Sequence, residues 1–181
     1  MKKFKNCKNC NDEFLPYNSL QKYCWKRECI QALRKEKEKK EWDKRKRQME
    51  MDLMTSRDYK KLAQEKFNLY IRLRDRNQKC ISCNKPLKHG NIDAGHLWSA
   101  HGHANITFNE YNVNAQCSRP CNKDRSGDTN NYRINFVKRY SQQILDELDS
   151  IAHIEKKWSI DELKEIIEKY KKKIKEIQVL K

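Results

Sequence analysis

Between Tyr59 and Ile71 the apolar residues Tyr59, Leu62, Ala63, Phe67, Tyr70 and Ile71 recur at steps of three and four, the period of a single helix face. Ser56 stands where an N-cap belongs, so a helix of about five turns is expected, its stripe packed on the cysteine-rich segment that begins at Cys80. The carboxyl-terminal third repeats the pattern twice. Tyr132, Phe136, Tyr140, Ile144, Leu148 and Ile151 step near helical spacing, with Ser141 a point of interruption, and a capping box of Ser159 and Glu162 opens a second run through Ile160, Leu163, Ile167, Tyr170, Ile174 and Ile177. Such a seam requires a partner helix, in this chain or in a second subunit, and a homodimer is one way to supply it.

The opposite pattern occupies residues 34–47, where nine Lys or Arg and four Asp or Glu stand with no Gly or Pro, and Trp42 is the one large apolar residue. Pairs such as Glu36 with Lys40 and Glu41 with Arg45 support a helix at i,i+4, but there is almost no face to bury, so a solvated single helix is expected.

What the apolar pattern leaves unexplained is rich in cysteine. The eight cysteines read C-x-x-C, thirteen residues, C-x4-C, then C-x-x-C, thirty-three residues, C-x3-C. Close pairs arranged in two sets of two are the spacing of zinc knuckles, each pair giving half of a tetrahedral thiolate site. Cys7, Cys10, Cys24 and Cys29 form one expected site; Cys80, Cys83, Cys117 and Cys121 form the other. The first module is too short to fold by burial alone. Phe14, Leu15, Tyr17, Leu20 and Tyr23 are its candidate miniature core around a turn at Pro16, Asn18 and Ser19, and zinc would supply on the order of 10 kcal/mol or more of its folding. Free thiols of this kind fit a reducing cytoplasm, and neither a signal sequence nor an apolar run of membrane-spanning length is seen. The expected fold is α+β and mostly helical: an amino-terminal zinc finger (1–30), a charged helical linker (31–55), a helix with a second zinc-stapled module (56–127) and carboxyl-terminal helices (128–181).

Charge then names a partner class. Forty-one Lys and Arg against twenty-five Asp and Glu give a formal +16, a field that attracts nucleic acid by releasing its counterions. Arg72, Arg74 and Arg76 lie off the apolar stripe, and Arg119, Lys123 and Arg125 follow the second module, the last two where a helix N-terminus would add its own pull on phosphate. Inside the second cysteine set, His96 is the candidate general base, since an imidazole accepts a proton near neutrality. Asp93 and the side-chain carbonyl of Asn122 are oxygen donors of the kind magnesium or manganese prefers, with Glu110 and Asp124 as further donors and His101 with His103 as a second candidate pair. Tyr111 is placed to stack on an unpaired base, and Trp98 to do the same or to fill the core of a small hairpin.

The order C-x-x-C, Asp93, His96, Asn112, closing knuckle, Asn122 resembles the HNH or ββα-metal nucleases that carry a structural zinc, those of the phage endonuclease VII type. That resemblance implies His96 as general base, Asn112 as a brace of the loop, and Asn122 at the start of the next helix as a metal ligand, with Asp93 as the acidic ligand. The amino-terminal finger, the charged linker, Asp-Ala-Gly-His at residues 93–96, Phe-Asn-Glu-x-Asn at 108–112, Gln-Cys at 116–117, Cys-Asn-x-x-basic-Ser-Gly at 121–127 and the helical tail are similar to the phage lambda NinG (Rap) recombination family. Membership would imply a phage-encoded, metal-dependent endonuclease acting on Holliday junctions and D-loops in the host cytoplasm, alongside other phage or host recombination proteins. Three features depart from the nuclease pattern: Ala94 and Gly95 separate Asp93 from His96, three residues rather than two fill the closing knuckle, and Asn122 stands in place of His. The alternatives are a non-catalytic zinc-ribbon protein that binds nucleic acid and a scaffold that recruits recombination proteins.

Overall fold

A computed structural model describes residues 3–179 of the chain, which divides into two units, Met1–Met54 and Thr55–Lys181. In the first, β1 (Lys5–Asn6) pairs antiparallel with β2 (Glu13–Phe14) across a turn closed by Cys7 N donating to Asp12 O at 2.9 Å. The chain returns to Cys24 and enters helix α1 (Arg27–Asp52), which carries Cys29 on its first turn. The charged helix expected from residue 31 therefore starts inside the cysteine module and is continuous with it. Its solvated character holds along its length, because Cys29 is its one buried residue. Glu36 anchors it, accepting from Lys8 at 2.7 Å, from Lys40 at 2.6 Å and from the Tyr23 hydroxyl.

Only part of the expected miniature core points inward. Tyr23 is buried among Cys7, Cys24 and Cys29 with Phe14, Ala32 and Leu33 against them, whereas Leu15, Tyr17 and Leu20 face solvent. Four converging cysteines fill the centre of so small a unit and leave room for little else.

The second unit opens with α2 (Ser56–Arg74). Its N-cap is Thr55, one residue before the expected Ser56, because Asp58 completes a capping box with it: Thr55 N donates to Asp58 Oδ2 at 2.9 Å and Asp58 N to Thr55 Oγ1 at 3.3 Å. After the first cysteine knuckle come β3 (Ile92–His96), a 3₁₀ turn (Ala104–Ile106), β4 (Val113–Cys117) and an irregular turn (Ser118–Asn122). Among the described residues the tail holds three helices, α3 (Thr129–Arg139), α4 (Gln142–Ile151) and α5 (Ile160–Val179), where the apolar period suggests two. Ser141 is the reason: its hydroxyl accepts from Ile144 N at 3.2 Å and caps α4.

The partner of the α5 seam lies in the same chain. α2 and α5 run parallel, since Tyr59 meets Lys164, Phe67 and Tyr70 meet Tyr170, and Tyr70 meets Lys173. The α2 stripe thus packs on Phe108 and the β3–β4 hairpin of the segment that begins at Cys80, as its sequence suggests, and in addition on Tyr170 of α5. A second core joins Ile81, Leu97, Tyr132, Phe136, Leu145 and Leu148 on the other side of the hairpin. The fold is α+β and mostly helical, and no described helix is long and apolar enough to cross a membrane.

Candidate functional site

The two cysteine sets converge as their spacing predicts. In each, all four sulfur atoms lie within 4.8 Å of one another, and Cys10 to Cys24 and Cys83 to Cys117 are 3.7 and 3.8 Å apart. Four thiolates roughly 2.3 Å from a tetrahedral ion stand roughly 3.8 Å apart, so both groups can hold a metal ion. Backbone N–H groups aim at the sulfurs, Cys24 N at Cys7 Sγ (3.2 Å) and Cys117 N at Cys80 Sγ (3.3 Å). Burial pushes the Cys7 thiol up, but backbone N–H groups of Cys10, Cys24 and Asn9 outweigh it and bring the pKa to about 6. Cys80 is lowered by the same contest, whereas burial and the charge on Cys80 push Cys117 up to about 12. One sulfur in each set is therefore prepared to lose its proton first.

The second set staples one end of the β3–β4 hairpin, and the polar residues are distributed along it. Register pairs Asp93 with Gln116, Gly95 with Asn114, Ala94 with Ala115 and His96 with Val113. Because side chains alternate along a strand, Asp93, Gly95, Asn114 and Gln116 share one face, and Ala94, His96, Val113 and Ala115 share the other. Contacts follow this division. Asn114 Nδ2 donates to the Tyr132 hydroxyl of α3 (3.0 Å), and Asn122 Nδ2 donates to Asp93 Oδ2 (2.9 Å). On the opposite face His96 meets α2, with Gln64 Nε2 and His96 Nε2 3.5 Å apart. The structure thus brings Asp93 and Asn122 together and sends His96 to the other side of the strand.

His96 is partly buried, and desolvation lowers its pKa against the opposing pull of hydrogen bonds to the backbone of Ala94 and Thr107. The Gln64 amide nitrogen faces Nε2 at 3.5 Å, a contact in which a neutral imidazole would accept through Nε2. The loop after His96 is braced from within. Asn112 is fully buried, accepts from Trp98 N (2.8 Å), and donates to Trp98 O (3.0 Å) and Ile106 O (3.1 Å).

The remaining candidates separate into solvent-facing and structural groups. Lys123 and Arg125 precede α3 by several residues instead of opening a helix, because Ser126, Gly127 and Asp128 adopt left-handed backbone that breaks it. Asn122 ends the irregular turn Ser118–Asn122, which Arg119 interrupts with extended backbone. Arg119 and Arg125 are exposed and lie near Asp124 (3.6 Å) and Asp128 (3.5 Å). Arg72 and Arg76 are half-buried. Arg74 is an internal brace, donating to Asp75, Glu110 O and Val113 O, and not a surface cation. Glu110 belongs to the α2–α5 interface, accepting from the Tyr70 and Tyr170 hydroxyls and from Lys173. His103 packs on Trp98 and His153 with its Nδ1 2.9 Å from Ala152 O, while His101 is exposed. Trp98 is a core side chain, its Nε1 donating to Asp149 at 2.8 Å. Tyr111 is half-exposed against Tyr140.

Gln64 was not legible as a site residue. It also lines an open cavity of about 470 Å³ with Arg57, Asp58, Lys60 and Lys61. The i, i+3, i+4, i+7 spacing of Arg57, Lys60, Lys61 and Gln64 on one helix face was the signal, obscured by the general abundance of lysine.

These features define a strongly basic α+β protein with two tetracysteine groups able to hold metal ions. The chain belongs to the NinG family: the family model described as Bacteriophage Lambda NinG protein matches residues 1–179. It is 37% identical over 118 residues to Protein ninG of Escherichia phage lambda, an alignment covering 65% of this chain and 56% of that protein. Protein ninG of Escherichia phage 933W is 36% identical and that of Salmonella phage P22 35%, each over 118 residues, 65% of this chain and 57% of the relative. The matched region thus spans little more than half the length of these curated relatives. No solved structure matches the chain.

Proposed function

We propose that this chain is a metal-dependent endonuclease acting on branched DNA in phage recombination, within the host cytoplasm and alongside other recombination proteins. The observation that carries the reading is His96, at the end of β3 with its pKa lowered by burial, on a loop braced by Asn112 and beside the basic cavity of α2. In this reading His96 Nε2 takes a proton from the attacking water. Zinc in both cysteine groups is scaffold, matching their four soft donors and closed geometry. Asp93 and Asn122, paired with each other on the face of β3 opposite His96, are the oxygen donors that would hold magnesium or manganese for charge stabilisation, so a phosphate would have to lie across the edge of β3 to meet both them and His96. Arg72, Arg76, Arg119, Lys123 and Arg125 contribute to holding the DNA backbone, and a homodimer would give two incisions across a junction.

The test is a nicking assay on a four-way junction in magnesium or manganese. His96→Ala should lose cleavage while retaining junction binding; cleavage at the parental rate would sink the proposal. One observation favours a second reading, a zinc-ribbon protein that binds nucleic acid without cutting it: the Asp93 carboxylate is engaged by Asn122 on the face opposite His96. Junction binding with no metal-dependent nicking by highly purified protein would select it.

A further inference from the structure

The amino-terminal unit exposes an apolar surface that its own folding does not use. Tyr17, Leu20 and Trp25 are 79%, 84% and 71% exposed, and with Ile30 and Leu33 of α1 they line a groove of about 420 Å³. The loop that presents them is held in place: Tyr17 N donates to Gln21 Oε1 (2.7 Å), Leu20 N to Asn18 Oδ1 (3.0 Å) and Gln21 Nε2 to Tyr23 O (2.8 Å). Contiguous apolar surface displayed on a braced loop marks an interaction site.

The charge around the groove selects its occupant. Lys22, Lys37 and Lys40 stand on its rim, and Glu36 is its single acid. Glu36 is already satisfied by Lys8, Lys40 and the Tyr23 hydroxyl. Lys22 and Lys37 form no ion pair among the described residues, so the rim keeps a positive surplus. Flat aromatic faces with uncompensated lysines beside them match the two ends of a nucleotide, a flat base and a phosphate.

We infer that the Tyr17–Trp25 groove of the amino-terminal unit binds unpaired nucleotides, stacking bases on Trp25 and Tyr17 with phosphates on Lys22 and Lys37. This rests on the nucleic-acid part of the proposed function and does not need His96 to be catalytic. It gives the chain a means of choosing branched over linear DNA, since branch points expose unstacked bases.

The experiment measures binding of fluorescein-labelled oligothymidylate and of a matched duplex to the full chain, with no divalent ion added. Trp25→Ala and Tyr17→Ala should each weaken oligothymidylate binding roughly tenfold, leave duplex binding as it was and leave zinc content unchanged. Trp25→Phe should restore most of the affinity, and Lys22→Ala with Lys37→Ala should flatten the salt dependence. Oligothymidylate binding unchanged in Trp25→Ala overturns the inference. So does a loss that duplex binding shares equally, which would be bulk charge. Unchanged oligothymidylate binding with loss of a dimer in sedimentation, or of an acidic peptide partner, would assign the groove to protein. A chain that never nicks yet shows Trp25-dependent binding fails only the nuclease reading, and His96→Ala should bind oligothymidylate as the parent does.

Discussion

Burial holds the His96 pKa below its ordinary value of 6.5, and the sign of that shift sets a pH dependence. As pH falls through about 6.5 the unfolded chain takes up a proton before the folded one does, so stability declines there and levels off below the folded pKa. The denaturant midpoint should therefore drop on acidification, and His96→Gln should remove that part of the slope. On the other face of β3, Gly95 and Gln116 constrain each other. A Cβ on Gly95 would lie 2.2 Å from Gln116 Oε1 and 3.0 Å from Gln116 Cβ. Gln116 has no room to move, being fully buried with its amide nitrogen donating to Ser82 Oγ and Gly127 O. Gly95→Ala should cost about 1–3 kcal/mol in chemical denaturation by overpacking, and Gln116→Ala in the same chain should recover part of it.

Among the elements, the α2–α5 pair carries the larger hydrophobic load. Phe67 is fully buried, edge-on to Tyr170 at 4.9 Å and to Phe108 at 5.7 Å. Phe67→Ala should lower stability by about 3–5 kcal/mol, read by urea unfolding. The α5 capping box predicts a smaller effect: Ser159 Oγ accepts from Glu162 N at 3.2 Å and Glu162 Oε2 from Ser159 N at 2.8 Å. Ser159→Ala should cost about 1 kcal/mol, seen in the same measurement. Because the two helices run parallel, the chain must travel the length of the unit between them, and it does so through the hairpin, α3 and α4. The polar strand faces are consequently enclosed, with α2 against His96 and α3 against Asn114.

For the whole molecule, the tetracysteine groups predict two zinc ions per chain by elemental analysis. The amino-terminal group should matter most to folding, since its core is made largely of its own ligands. A strong chelator should unfold that part first, seen as early loss of α1 helicity in circular dichroism, and readdition of zinc should restore it. The formal charge of +16 predicts DNA affinity that falls linearly on a logarithmic salt scale.

Periodicity alone determined the α2 stripe, the α5 seam and the solvated α1, because a helix buries or exposes residues by their position in the turn. Cysteine spacing likewise determined both tetracysteine groups, since close pairs on knuckles have few other geometries. Side-chain alternation was in principle readable too, but it needed the strand limits Ile92–His96 before it could separate Asp93 from His96. Contacts between distant segments were beyond local pattern. That α5 pairs with α2 within the chain, that Gln64 meets His96, and that Arg74 and Glu110 brace the interior depend on which surfaces the connecting hairpin and helices bring together. The exposure of Tyr17, Leu20 and Trp25 was decided in the same way, by four cysteines converging where a conventional apolar core would otherwise have formed.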